Sequence, residues 1–257
     1  MTSLKGTIVF VTGASAGIGE ACAEAFAAQG AHLLLCARRL ERVQALAARL
    51  SQTYGIRTHI GRLDVRERTS VDAFVAGLPE EWKAIDILVN NAGLARGFAK
   101  VHEGDVRDWE EMIDTNVKGL LYVTRAILPS MVRRGSGHII NLGSIAGHQV
   151  YPNGAVYCAS KFAVRALNEG LKMDLLGTGI RVCSVSPGMV QTEFSEVRFH
   201  GDKQRAAQTY ANTRPLTAED VAEIAVFCAM RPPHVDISEV VVMSTDQASV
   251  YHVHRTA

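Results

Sequence analysis

Seven short runs of this sequence are rich in apolar and β-branched residues: TIVFVT, AHLLLC, RTHIGRL, IDILVN, GHIINL, IRVCSVS and ISEVVVM. A strand with one face in water alternates apolar and polar residues, so runs that are apolar nearly throughout belong to strands buried on both faces. Between them, at 20–29, 40–52, 70–77, 106–134 and 154–176, apolar residues recur with the helical period. Strands that alternate with helices are joined by crossovers, which make the strands parallel and leave helices on both faces of the sheet. The expected fold class is therefore α/β, a doubly wound parallel sheet of seven strands. No Pro-, Gly- or Ser-rich linker divides residues 1–257, and no repeat is visible. One domain is expected, with a strandless insertion at about 192–214 over the C-terminal edge of the sheet.

Composition narrows the partners. With 47% hydrophobic residues among 257, the chain can bury a large core. The 27 Lys and Arg against 26 Asp and Glu give no basic field for nucleic acid or a membrane surface. No apolar stretch approaches the ~20 residues of a membrane span, and MTSLKG is no signal sequence, so a cytoplasmic protein is expected. Cys22, Cys36, Cys158, Cys183 and Cys228 are scattered in apolar sequence without a CxxC pair, which reads as buried free thiols and no metal site.

In a doubly wound sheet, ligands bind beyond the carboxyl ends of the strands, and the first strand-turn-helix is the place for a pyrophosphate. Here that turn is VTGASAGIGE, with Gly13, Gly17 and Gly19 spaced GxxxGxG. Glycine permits positive φ and close backbone approach, and a helix N-terminus offers free N–H groups to an anion. The spacing alone also fits a purely structural turn. After the second strand, where an adenosine ribose would lie, a carboxylate would accept the ribose hydroxyls; Ala37 stands there instead, followed by Arg38 and Arg39. Two cations without an acid favour the 2′-phosphate of NADP over NAD.

Further motifs stand in register: NNAG at 90–93, Asn116 within a long helical stretch, Ser144 after the fifth strand, YCASK with Tyr157 and Lys161, and Pro187-Gly188 after the sixth strand with Thr192 beyond. Together they resemble the short-chain dehydrogenase/reductase family, of Rossmann fold, over essentially the whole chain. The resemblance implies an NADP-dependent oxidoreductase with Asn116, Ser144, Tyr157 and Lys161 as its catalytic residues. Tyr157 would be the general acid/base, its ionisation eased by Lys161, four positions along the same helix face. Ser144 would hydrogen-bond the substrate oxygen, and Asn116 would hold a water that relays protons towards Lys161. The resemblance also implies cofactor contacts from Ser15, Ile18, Asp64, Val65, Asn91, Val190 and Thr192, beside the glycines, the two arginines, Tyr157, Lys161, Pro187 and Gly188. It implies a homotetramer built through 106–134 and 154–176.

LPEEWKAIDILVNNAGLA, DWEEMIDTN, TEFSEVRFHGD and LTAEDVAE look like the NADP-dependent 3-hydroxy acid dehydrogenases of that family, which act on serine, allo-threonine and related acids. GHQVYPNGAVY also resembles members that reduce other carbonyl compounds, so sulfonated aldehydes and diketones are the alternative substrates. A catalytically idle NADPH-binding sensor would share the glycines and arginines but would be free to lose the four catalytic residues. For an acidic substrate, Arg198 is the candidate counter-charge, since a buried unpaired carboxylate is prohibitively costly. The HVH tail at 252–254 is expected to be solvated or packed on a partner subunit.

Overall fold

All five residues of Ile8–Thr12 (β1) are buried, as a strand covered on both faces requires. In the computed structural model, which describes residues 2–256, β1 lies inside a seven-stranded sheet with β2 (His32–Ala37), β3 (Thr58–Arg62), β4 (Ile87–Asn90), β5 (Gly137–Leu142), β6 (Ile180–Pro187) and β7 (Glu239–Val242). The order is β3-β2-β1-β4-β5-β6-β7 and every pair is parallel. The chain order reverses between β1 and β4, which opens a crevice at their carboxyl ends. The nine α-helices among the described residues are α1 (Gly17–Ala28), α2 (Leu40–Tyr54), α3 (Arg68–Ala76), α4 (Val106–Ile113), α5 (Leu120–Arg134), α6 (Ala155–Asp174), α7 (Phe194–Arg198), α8 (Lys203–Thr209) and α9 (Ala218–Ala229).

Successive strand residues face opposite layers. Val9, Val11, Leu33 and Leu35 pack with Phe26 of α1, Val43 of α2 and Val221 of α9. Ile8, Phe10 and Leu34 pack with Val71 of α3 and Val123 and Ile127 of α5. Each such side chain contributes roughly 1.5–3 kcal/mol on burial, so the two layers fix strand register as well as stability. All five cysteines are free and buried, as expected. Among the described residues no helix is long and apolar enough to cross a membrane, and no cluster of His, Cys, Asp or Glu could hold a metal.

Two stretches differ from the periodicity. The expected helix at 106–134 is α4 and α5 joined by a π-helical segment, Asp114–Gly119, which carries Asn116. The stretch 192–214, expected as an insertion without a strand, holds the two short helices α7 and α8.

Candidate active site

The glycine turn is built by close approach. Gly13 and Gly17 have φ of +67° and +57°, where an L side chain is strained. A Cβ on Gly13 would stand 2.9 Å from Ala92 Cα, and one on Gly19 would stand 2.5 Å from the Gly13 carbonyl oxygen. Ala16, the residue before α1, offers no side-chain cap, so the first N–H groups of the helix are left for an anion. Asn91, expected at the cofactor ribose, fastens β4 to this turn: its Nδ2 donates to the Thr12 and Gly13 carbonyls at 2.9 and 3.2 Å. A phosphate fits the cradle.

At the end of β2, Ala37, Arg38 and Arg39 border the same cavity. Arg39 donates to Ser15 Oγ from Nε and Nη2 at 3.2 and 3.1 Å and to Glu193 at 2.9 Å; Arg38 donates to Glu111 at 3.3 Å. Both cations are thus held in place by acids far off in sequence. Asp64 beside them is paired with Arg66 at 2.6 Å. Burial pushes its carboxyl up, but hydrogen bonds from Arg66 outweigh this and hold it below the usual range.

Helix α6 presents Tyr157 and Lys161 on one buried face. Lys161 Nζ donates to the Leu142 carbonyl at 2.8 Å, and burial lowers its pKa to about 8. Ser144 caps the short 3-10 turn Ile145–Gly147, its hydroxyl accepting from Ala146 N at 3.1 Å. Gly147 lets this turn sit on α6, because a Cβ there would stand 2.7 Å from the Lys161 carbonyl oxygen. Burial raises the Tyr157 pKa, against which the Arg198 cation and then a hydrogen bond with Ser144 act. The Arg198 cation thus stands on the same phenol as Lys161, the partner expected from the sequence. Asn116 stands behind the wall: its Nδ2 donates to Leu94 O at 2.8 Å and Ser160 Oγ at 2.9 Å, and its Oδ1 accepts from Leu94 N at 2.8 Å. Both amide hydrogens are therefore spent on protein atoms.

Arg198 ends α7, and its Cζ lies 5.0 Å from the Tyr157 ring centroid and 5.2 Å from that of Phe194. Its Nη2 donates to Tyr151 Oη at 2.6 Å, while its Nε is buried without a partner. One cavity of about 910 Å³ is lined by Gly13, Gly17, Arg38, Ser144, Tyr157 and Arg198, and by Ser15, Ile18, Arg39, Asp64, Val65, Asn91, Lys161, Pro187, Gly188, Val190 and Thr192. Of the catalytic, cofactor and substrate residues expected from the sequence, Gly19 and Asn116 are the two that do not line it.

A cradle for phosphate and a Ser-Tyr-Lys cluster in one cavity agree with a family match: the profile described as "short chain dehydrogenase" covers residues 7–203. The chain belongs to the short-chain dehydrogenase family. It is 48% identical over 251 residues, 97% of this chain and all of the relative, to the NADP-dependent 3-hydroxy acid dehydrogenase YdfG of Salmonella typhi. It is 46% identical over 250 residues, 96% of this chain and 98% of the relative, to sulfoacetaldehyde reductase 2 of Chromohalobacter salexigens. A solved structure, the closed form of serine dehydrogenase complexed with NADP+, superposes with a TM-score of 0.91 at 48% identity, covering 97% of this chain and all of that one.

This short-chain dehydrogenase also uses residues that the sequence did not mark. Of the HVH tail expected in solvent or on a partner, His252 and His254 are exposed, while Val253 lines the cavity together with Tyr251 and Arg255. Gln247 Oε1 accepts from Met189 N at 2.7 Å, Val250 N donates to Gln149 Oε1 at 3.1 Å, and the Tyr251 hydroxyl donates to Val150 O. Arg255 donates to the carbonyls of Thr209 and Ala211, and Thr256 N to that of Asn212 at 2.9 Å. Glu193, Tyr151 and Tyr210 complete the cavity wall. No local pattern announces them, because their partners lie tens of residues away.

Proposed function

We propose that this short-chain dehydrogenase is an NADP(H)-dependent oxidoreductase that interconverts a small 3-hydroxy acid of the serine, allo-threonine or 3-hydroxypropionate type and its carbonyl form. The observation that carries the reading is the Arg198 guanidinium beside the Tyr157 ring, with a buried Nε that lacks an acceptor. A cation so held, in the pocket of the acid/base, suits a substrate carboxylate. The glycine turn, Arg38 and Arg39 would hold the cofactor, assisted by the other cavity residues named above. The nicotinamide supplies hydride in one direction and accepts it in the other. Tyr157 Oη gives its proton to the carbonyl oxygen in reduction and takes it from the hydroxyl in oxidation. Ser144 Oγ orients that oxygen, and Lys161 Nζ steadies the phenolate. Asn116, through Leu94 and Ser160, acts as a positioning residue for the loop after β4 and for α6.

A sulfonated aldehyde is the second reading, because a sulfonate fits the same guanidinium and a sulfoacetaldehyde reductase is among the relatives. An idle NADPH sensor is disfavoured by the convergence of Ser144, Tyr157 and Lys161 in one cavity. Consumption of NADPH should be faster with malonic semialdehyde than with sulfoacetaldehyde or diacetyl, and serine with NADP should run the reverse reaction. Tyr157→Phe should lower kcat by about 100-fold or more with NADPH still bound. Faster turnover of the sulfonate overturns the first reading in favour of the second. A Tyr157→Phe enzyme keeping about a tenth of the wild-type rate removes Tyr157 as the acid.

The assembly proposed is a cytoplasmic homotetramer. Leu121 and Val132 on α5 and Phe162 and Met173 on α6 are exposed apolar residues that such an interface would cover. A single-chain mass in light scattering overturns it.

A further inference from the structure

Arg198 has two calls on one charge. Its guanidinium stands over the Tyr157 ring at 5.0 Å and bonds Tyr151, yet its Nε has no acceptor, and among the described residues no carboxylate pairs with it. Six ionisable or hydroxyl groups surround Tyr157: Lys161 and Cys158 on α6, Tyr151 before that helix, Ser144 after β5, Tyr210 after α8, and Arg198 at the end of α7. Burial pushes Tyr151, Cys158 and Tyr210 up, so all three stay neutral through the neutral range. Lys161 is pulled down to about 8 by its own burial and loses charge as the solution turns alkaline. A guanidinium does not lose its proton in that range, so Arg198 is the one permanent cation facing the phenol.

We propose that Arg198 is a transferable counter-charge: it stabilises the Tyr157 oxyanion while the cleft holds no acid, and an anionic substrate takes it over, leaving the proton more firmly on Tyr157. The proposal rests on the reading of Arg198 as the partner of the substrate carboxylate. Its chemistry follows from sign. A cation beside a phenol favours the phenolate, and a carboxylate that neutralises the cation cancels that help. The arriving acid therefore keeps Tyr157 protonated, as reduction of its own carbonyl form needs. In the other direction, oxidation of the hydroxy acid requires a higher pH than oxidation of a neutral alcohol of the same skeleton.

The test compares 3-hydroxypropionate with its methyl ester, oxidised with NADP. In the wild type, the rising limb of kcat against pH should lie about one to three pH units higher for the acid than for the ester, the shift that one neighbouring opposite charge exerts at such distances. In Arg198→Met the limb for the ester should rise to at least the position that the acid has in the wild type, and Arg198→Lys should return it part of the way. Coincident limbs in the wild type, or an ester limb that does not move in Arg198→Met, would overturn the proposal. A second measurement needs no turnover. The ultraviolet absorbance of the Tyr157 phenolate in the ligand-free protein, isolated by subtracting Tyr157→Phe in each background, should appear about one to three pH units higher in Arg198→Met. Propionate as a non-reacting acid should move the wild-type titration upward and leave that of Arg198→Met unchanged. If neither the acid nor the ester is oxidised, the substrate reading fails while the absorbance titration still decides the role of Arg198. A titration that neither the substitution nor propionate moves overturns the inference even in an active enzyme.

Discussion

Arg38 and Arg39 adjoin in sequence and differ in what holds them. Arg39 is braced by Ser15 in the glycine turn and by Glu193 at the start of the insertion, whereas Arg38 has one longer bond to Glu111 and a side chain 49% exposed. Ser15 lies in the phosphate cradle, so Arg39 is aimed from the start and Arg38 is the freer cation. Each arginine-phosphate hydrogen bond is worth roughly 1.5–3 kcal/mol, or about 10 to 100-fold in affinity. The double change Ala37→Asp with Arg38→Leu supplies a ribose carboxylate and removes one cation, and it should move preference from NADPH towards NADH in steady-state kinetics with both cofactors. Retained NADPH preference in the double variant would assign the phosphate to Arg39 alone.

Elements were legible to different degrees. The strands could be read because burial on both faces leaves runs without alternation, and Leu33-Leu34-Leu35 serves both layers in turn. The helix at 106–134 could be read as helical but not as interrupted, since one shifted turn of hydrogen bonds scarcely disturbs the period of its apolar residues. Gly119 closes that shifted turn where the chain passes Val65: a Cβ on it would stand 3.2 Å from the Val65 carbonyl oxygen. The Ser-Tyr-Lys cluster was legible because its members hold fixed spacings on or beside one helix. Tyr151 was not, because its partner Arg198 lies 47 residues away across the cleft. At this scale the glycines separate by what surrounds them. Gly19→Ala puts a methyl against the Gly13 carbonyl oxygen and should cost about 1–3 kcal/mol of stability together with most of the cofactor affinity. Gly170→Ala in α6, where nothing lies within 4 Å, should instead raise stability by roughly 0.5–1 kcal/mol. Thermal melts and NADPH titrations of the two variants check this, and equal behaviour would refute the close-approach account of the turn.

For the whole molecule, the parallel sheet sorts the chain ends. Every strand points its carboxyl end at the cavity, so the chain before β1 enters on the far side, where Thr2 N donates to the Met230 carbonyl at 2.9 Å. The last residues do the opposite: Tyr251, Val253 and Arg255 line the cavity, and Arg255 and Thr256 fasten the segment that follows α8. The two termini are therefore unequal places to attach anything. A purification tag or fused domain at the N-terminus should leave kcat/KM unchanged, whereas the same extension at the C-terminus should lower it several-fold, mostly through KM, by prising the tail from the mouth of the cleft. Cleaving the C-terminal extension with a site-specific protease should return the activity, and the choice of fusion end becomes a direct probe of how tightly the cleft is kept shut.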